Sequence, residues 1–125
     1  MRLLLDTNAI IHVRQNWPGF SAETKALLAD PANTVYMSSV SVAEIAIKVS
    51  IGKLDALPEP LSDVMKQLRW TELPFTVAHA ERLSELPWHH RDPFDRMLIA
   101  QALVEGLPVV TSDRRFATYG VQVLT

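Results

Sequence analysis

Short apolar runs alternate along this chain with stretches whose apolar positions recur every three or four residues. Arg2–Leu5 is an apolar run stopped by Asp6 and reads as a buried strand. Thr7 or Asn8 is expected to cap a helix carrying Ile10, Ile11 and Val13, with Pro18-Gly19 ending that unit. Ser21 opens a second helix with Ala26, Leu27 and Leu28 on one side, and Asp30-Pro31 stops it. Val35–Met37 reads as a strand, and Ser41–Ile51 as a helix closed by Gly52. Leu54–Pro60 is a proline-bearing connection, followed by a helix over Leu61–Leu68, a strand over Trp70–Leu73 and a helix over Thr76–Leu86. Asp92 followed by Pro93 is a helix start, with Asp92 as N-cap. The helix Pro93–Glu105 is apolar nearly all round and should be deeply packed, and Gly106 and Pro108 end it. Val109–Thr111 is the next strand, Asp113–Tyr119 a short helix or turn, and Val121–Leu124 a last strand.

Short apolar strands alternating with helices indicate an α/β fold, a parallel sheet of about four to five strands flanked by helices on both faces. No interior linker, repeat or low-complexity segment divides the chain, so one domain over residues 1–125 is expected. Ligands of such folds bind beyond the C-terminal strand ends near the switch in strand order, which marks Asp6 and Asp113.

Composition narrows the chemistry. The 125 residues are 48% hydrophobic and 21% charged, which is ordinary for a globular domain. There is no cysteine, which excludes a disulfide framework, a thiolate zinc site and a cysteine nucleophile. Asp6 interrupts the opening apolar run too soon for a signal-peptide core, and no run approaches a membrane span, so a cytoplasmic location without membrane attachment is expected. The formal charge of −2 argues against broad, charge-driven nucleic-acid binding.

Four acids stand out by position. Asp6 and Asp113 end strands, while Glu44 and Asp95 are expected in the first turns of helices. In a parallel α/β sheet these places share one rim. Each acid alone has an ordinary use: Ser41 and Glu44 have capping-box spacing, Asp92 and Asp95 suit a helix dipole, and Asp6 and Asp113 suit caps and turns. Four on one rim would repel one another and raise one another's pKa unless a cation intervened. An all-oxygen donor set favours Mg²⁺ or Mn²⁺ over zinc, and its usual chemistry is phosphoryl transfer. Setting these four aside leaves ten acidic against twelve basic residues, a charge of +2 that permits an RNA substrate.

Four stretches carry a resemblance: Leu3–Ile11, Ser39–Lys48, His90–Ala102 with its Asp92-Pro93-Phe94-Asp95-Arg96 core, and Val110-Thr111-Ser112-Asp113. In this order and spacing the sequence resembles the PIN-domain ribonucleases, in particular VapC-type toxins of toxin–antitoxin pairs, over essentially the whole chain. The resemblance implies a PIN fold and an endoribonuclease dependent on Mg²⁺ or Mn²⁺, with Asp6, Glu44, Asp95 and Asp113 as its acidic metal site. It implies that Thr111 supports the metal's surroundings, that Asn8 hydrogen-bonds beside the first acid, and that Asp92 caps the helix carrying Asp95. It implies an RNA substrate, inhibition by a cognate VapB-like antitoxin, and a homodimer within a toxin–antitoxin hetero-oligomer.

The other polar residues are read more simply. Arg96 and Arg114 adjoin site acids and are candidates for holding substrate phosphates, while Arg115 is equally well a solvated side chain. Lys48 has the spacing to pair with Glu44. His89 and His90 are expected in a loop without ligand partners, and His12 and His79 on helix surfaces. Trp17 and Trp88 are candidates for base stacking, with burial or a partner contact the commoner use.

Competing classes fare less well. A haloacid-dehalogenase phosphatase needs an Asp where Asn8 stands, and a receiver domain needs a late lysine, yet none follows Lys66. Phosphate-binding glycine loops are absent. The remaining alternative is a PIN-fold RNA-processing or RNA- or partner-binding protein that is not a toxin.

Overall fold

The computed structural model describes all 125 residues, Met1–Thr125. Five strands, β1 (Arg2–Leu5), β2 (Thr34–Ser38), β3 (Thr71–Leu73), β4 (Val109–Val110) and β5 (Val123–Leu124), form one parallel sheet in the order β3-β2-β1-β4-β5. The helices are α1 (Thr7–Ile11), α2 (Ala22–Ala29), α3 (Ser39–Ser50), α4 (Leu61–Gln67), α5 (Val77–Arg82) and α6 (Pro93–Glu105). Short 3₁₀ turns cover Val13–Gln15, Leu83–Glu85 and Arg114–Tyr119.

The unbroken Leu3-Leu4-Leu5 run is explained by helices on both faces. Successive strand residues point to opposite faces. Leu4 packs with Val109, Leu98, Ile99 and Phe116, whereas Leu3 and Leu5 pack with Val35, Met37, Ile45 and Val110. All three leucines are inaccessible. Strand β1 is central and pairs with both β2 and β4, so the strand order reverses there. The rim beyond β1 and β4 is where such a fold opens a ligand crevice.

Two helix starts differ from expectation. Asp6 itself caps α1, its Oδ1 accepting the Ala9 N–H at 2.7 Å, in place of Thr7 or Asn8. Helix α3 begins at Ser39 with Ser38 as its cap, two residues before the expected start. Ser41 and Glu44 therefore form no capping box, and Glu44 lies in the second turn rather than the first. Helix α6 has its expected bounds, with Asp92 accepting from the Asp95 N–H at 2.9 Å. Gly106, at φ 66°, closes it in the left-handed conformation glycine tolerates.

His79, expected at the surface, is buried. Its Nδ1 accepts the Thr76 N–H at 3.0 Å, and its Nε2 lies 2.9 Å from Glu105, tying the start of α5 to the end of α6. Gln101 is buried too. It accepts from Ser38 and reaches the carbonyls of Leu73 and Pro74, joining α6 to the ends of β2 and β3. No helix is long and apolar enough to cross a membrane.

Candidate active site

The four acids reach the rim from four elements. Asp6 follows β1, Glu44 projects from α3, Asp95 from the first turn of α6, and Asp113 follows β4. Asp6 and Glu44 are buried, and the side chains of Asp95 and Asp113 are each 23% exposed. Their charges act on one another: Asp6 feels Asp113 and Glu44, and Asp95 feels Asp92, Glu44 and Asp6.

Each carboxylate is fixed by its own bonds. Asp6 uses one oxygen to cap α1 and the other to accept the Thr111 hydroxyl. Thr111 Oγ1 in turn accepts the Asp113 N–H at 3.0 Å, so a single buried hydroxyl links the first acid to the last. Glu44 accepts from Thr7 Oγ1 at 2.7 Å and from Lys48 Nζ at 2.6 Å. The Glu44 bond raises the Lys48 pKa against the opposing effect of burial. Asp113 accepts Nε and an Nη of Arg115 at 3.0 and 2.9 Å.

These bonds divide the acids into two kinds. Burial pushes the Asp113 carboxyl up, but its hydrogen bonds with Arg115 and that residue's charge outweigh burial, holding it below the ordinary range. Burial is also the largest influence on Asp6, and with the charges of Asp113 and Glu44 it outweighs the bonds from Thr111 and Ala9, so its pKa rises. Asp95 is pushed up to about 6, by burial first and then by the charge of Asp92, against the opposing pull of His90. Asp6 and Asp95 thus have no Lys or Arg partner, whereas Glu44 and Asp113 each have one.

Some residues act differently from expectation. His90 is buried, and its Nε2 lies 2.9 Å from Asp95 Oδ2 and 3.1 Å from Asp113 Oδ2. Its Nδ1 accepts the Asp92 N–H at 3.2 Å, which places the ring proton on Nε2. A ring nitrogen of His90 and one carboxylate oxygen each of Asp95 and Asp113 lie within 4.8 Å of one another, the imidazole donating to the two carboxylates. No fixed spacing announces such a histidine, because the loop must fold back to bring it in. Arg96, expected to hold phosphates, is buried and makes none of its bonds toward the rim. Its guanidinium reaches the carbonyls of Leu83, Leu86, Pro87 and His90 and the Tyr119 hydroxyl, at 2.9–3.4 Å. Neighbours on a helix project about 100° apart, so adjacency to Asp95 in sequence does not place Arg96 in the site.

Asn8, expected to hydrogen-bond beside Asp6, is exposed and makes no side-chain hydrogen bond. Thr7, one residue earlier, faces inward and makes the bond to Glu44. Arg114 is exposed and Arg115 pairs with Asp113. Trp17 is partly buried and donates to the Ala9 carbonyl at 2.7 Å, whereas Trp88 is 75% exposed.

The donor set suits a divalent cation: carboxylates gathered at one rim, two of them without a Lys or Arg partner and destabilised as anions. Oxygen-rich sites favour Mg²⁺ or Mn²⁺.

Solved structures share this fold. The chain of VapBC2 from Rickettsia felis, bound to a DNA fragment from its promoter, is 22% identical with a TM-score of 0.73, over 98% of this chain and 97% of that one. DNA-bound VapBC from Salmonella typhimurium matches at 23% identity and a TM-score of 0.69, covering 98% and 96%. A toxin–antitoxin complex from Klebsiella pneumoniae matches at 20% identity and a TM-score of 0.61, with the same coverages. No curated protein matches the chain. The family model of the PIN domain matches residues 3–122, nearly the whole chain, and the protein belongs to the PIN domain family.

Proposed function

We propose that the protein is an endoribonuclease dependent on Mg²⁺ or Mn²⁺ and acts as the toxin of a toxin–antitoxin pair. The observation that carries this reading is the convergence of Asp6, Glu44, Asp95 and Asp113, with the pKa values of Asp6 and Asp95 raised. Asp6, Asp95 and Asp113 are the residues to hold the ion, with Glu44 alongside. When bound, the cation supplies Lewis acidity toward a phosphodiester and lowers the pKa of water. The chain's own groups do the positioning. Thr111 orients Asp6 and the Asp113 backbone, Thr7 and Lys48 orient Glu44, and His90 Nε2 holds Asp95 and Asp113 in register. Intact acids favour cutting over a non-cleaving RNA- or partner-binding role. The structural likeness to VapBC and toxin–antitoxin complexes supports a VapB-like antitoxin as partner; a homodimer within that assembly is part of the same reading and rests on the sequence resemblance alone.

The test is controlled expression in a bacterium with sequencing of RNA ends. New, discrete RNA ends with the wild type and none with Asp6→Asn are expected; RNA ends identical to those of uninduced cells would overturn the reading.

A subtler prediction concerns Thr111. Replacement by the similarly shaped valine removes the hydroxyl shared by Asp6 and the Asp113 backbone while keeping the packing. Mn²⁺ affinity is expected to fall about 10–100-fold, the usual effect of losing a residue that orients a ligand. Calorimetric titration of Mn²⁺ checks it, and an unchanged affinity would show that the hydroxyl does not orient the site.

A further inference from the structure

Two hollows meet beside α6. One, of about 470 Å³, contains Asp95, Asp92, His90 and Arg115. The other, of about 350 Å³, is walled by Leu83, Pro93 and Met97, with Ser84 and Arg96 at its margin. Two residues line both, Trp88 and Arg91. The first hollow brings Asp95 and His90 of the proposed site to the surface, and the second has no role in that chemistry.

Trp88 is unusually placed. A side chain this large and apolar gains by burial, yet it is 75% exposed. It is nonetheless held, with the Arg96 guanidinium 3.9 Å from its ring centroid. Arg96 is itself anchored by four carbonyls of the same loop and by Tyr119. One face of the indole thus rests on a fixed support at the lip of the acidic hollow, and the loop's ordering cost is met in folding rather than in binding. Arg91 is exposed and makes no ion pair, a free guanidinium at the junction of the two hollows.

This combination matches single-stranded nucleic acid. Every base offers a π-face to stack on an aromatic ring, and guanidinium suits the phosphate that joins two nucleotides. A nucleobase is no larger than the indole that walls the hollow. We propose that the second hollow is a base subsite, in which an unpaired RNA base next to the scissile phosphate stacks on Trp88 against Pro93 and Met97. Arg91 binds the phosphate connecting that nucleotide to the one over the acids. The assignment rests on the ribonuclease reading and adds to it a preference for unpaired RNA.

Steady-state cleavage of a short single-stranded RNA in Mg²⁺, with Trp88→Ala, Trp88→Leu, Trp88→Phe and Arg91→Ala, tests it. Alanine and leucine are expected to raise KM about 5- to 150-fold with a smaller change in kcat, and phenylalanine to stay near wild type. Leucine keeps apolar cover without a π-face, so it separates stacking from folding. Arg91→Ala is expected to raise KM and to flatten its salt dependence. In an Asp95→Asn background the same RNA is expected to quench tryptophan fluorescence, and the quench is expected to vanish when Trp88→Phe is added. A cleaving wild type with KM unchanged in both Trp88→Ala and Trp88→Leu would overturn the subsite, leave the hollow to a protein side chain and leave the ribonuclease reading standing. A wild type that cleaves nothing, with Trp88 still quenched by RNA, would overturn the ribonuclease reading and support the subsite. Neither cleavage nor quenching would overturn both.

Discussion

Asparagine in place of Asp95 is expected to slow RNA cleavage by about a hundredfold to a thousandfold and at the same time to make the metal-free protein more stable. The loss follows from removing one anionic ligand where charge must be balanced in the transition state. The gain follows from what the carboxylate costs without a cation. Burial, then the charge of Asp92, lifts its pKa from 3.8 to about 6, so the folded protein holds that proton more readily than the unfolded chain. The resulting penalty is absent below the unfolded value, grows as pH rises toward about 6 and is complete above it. Unscreened it would be about 3 kcal/mol, and solvent at the partly exposed side chain reduces it to about 1–2 kcal/mol. Asp95→Asn is therefore expected to raise Tm at pH 7.5 without metal by about 3–8 °C. The gap should close below about pH 4, where the unfolded chain's carboxyl is protonated too. Saturating Mn²⁺ should reverse the order, because it stabilises the wild type by about 2.7 kcal/mol at a hundred times Kd and the variant by less. Scanning calorimetry across pH, with and without Mn²⁺, checks both signs. A variant less stable than wild type in chelator at pH 7.5 would show that Asp95 is not under electrostatic strain.

The second large effect is expected at Arg96. Alanine there removes a buried guanidinium whose donors serve the carbonyls of Leu83, Leu86, Pro87 and His90 and the Tyr119 hydroxyl. The Leu86 and His90 carbonyls lose this donor with no other protein donor in its place, while Pro87 keeps the Tyr119 hydroxyl and Leu83 keeps the Leu86 N–H. A stability loss of about 3–5 kcal/mol in urea denaturation is expected, comparable to breaking a buried charged network. Lysine is not expected to rescue it, because an ammonium offers three donors from one point and no plane to lie under the Trp88 ring. Activity should fall as well, since the same loop carries His90 into the site. A loss under about 1 kcal/mol would mean that water replaces the guanidinium and that the loop has other support.

The fold was legible in the sequence because its strongest signals are local. The unbroken Leu3–Leu5 run, the Asp92-Pro93 start and the Gly106 stop each follow from backbone or burial rules that need no tertiary context. The strand-end positions of Asp6 and Asp113 were legible for the same reason. What escaped depends on chain segments folding back on one another. His90 enters the site only because the loop before α6 is wrapped around Arg96, and Arg96 turns inward because a helix points successive residues in different directions. Thr7 rather than Asn8 bonds within the site because Asp6 takes the cap of α1, which sets the helix phase so that residue 7 faces Glu44 and residue 8 faces solvent. His79 was misplaced because its partner Glu105 is distant in sequence.

The most direct test is the rate of RNA cleavage by the purified chain as Mn²⁺ is raised, measured beside the Mn²⁺ binding isotherm, for the wild type and for Asp95→Asn prepared identically. The expected result is that wild-type cleavage saturates at the same Mn²⁺ concentration as binding and stops in chelator, and that Asp95→Asn shifts both curves together to weaker binding with a much lower ceiling. Cleavage that persists in chelator, or that Asp95→Asn supports at the wild-type rate, would contradict a divalent-cation nuclease site at these four acids.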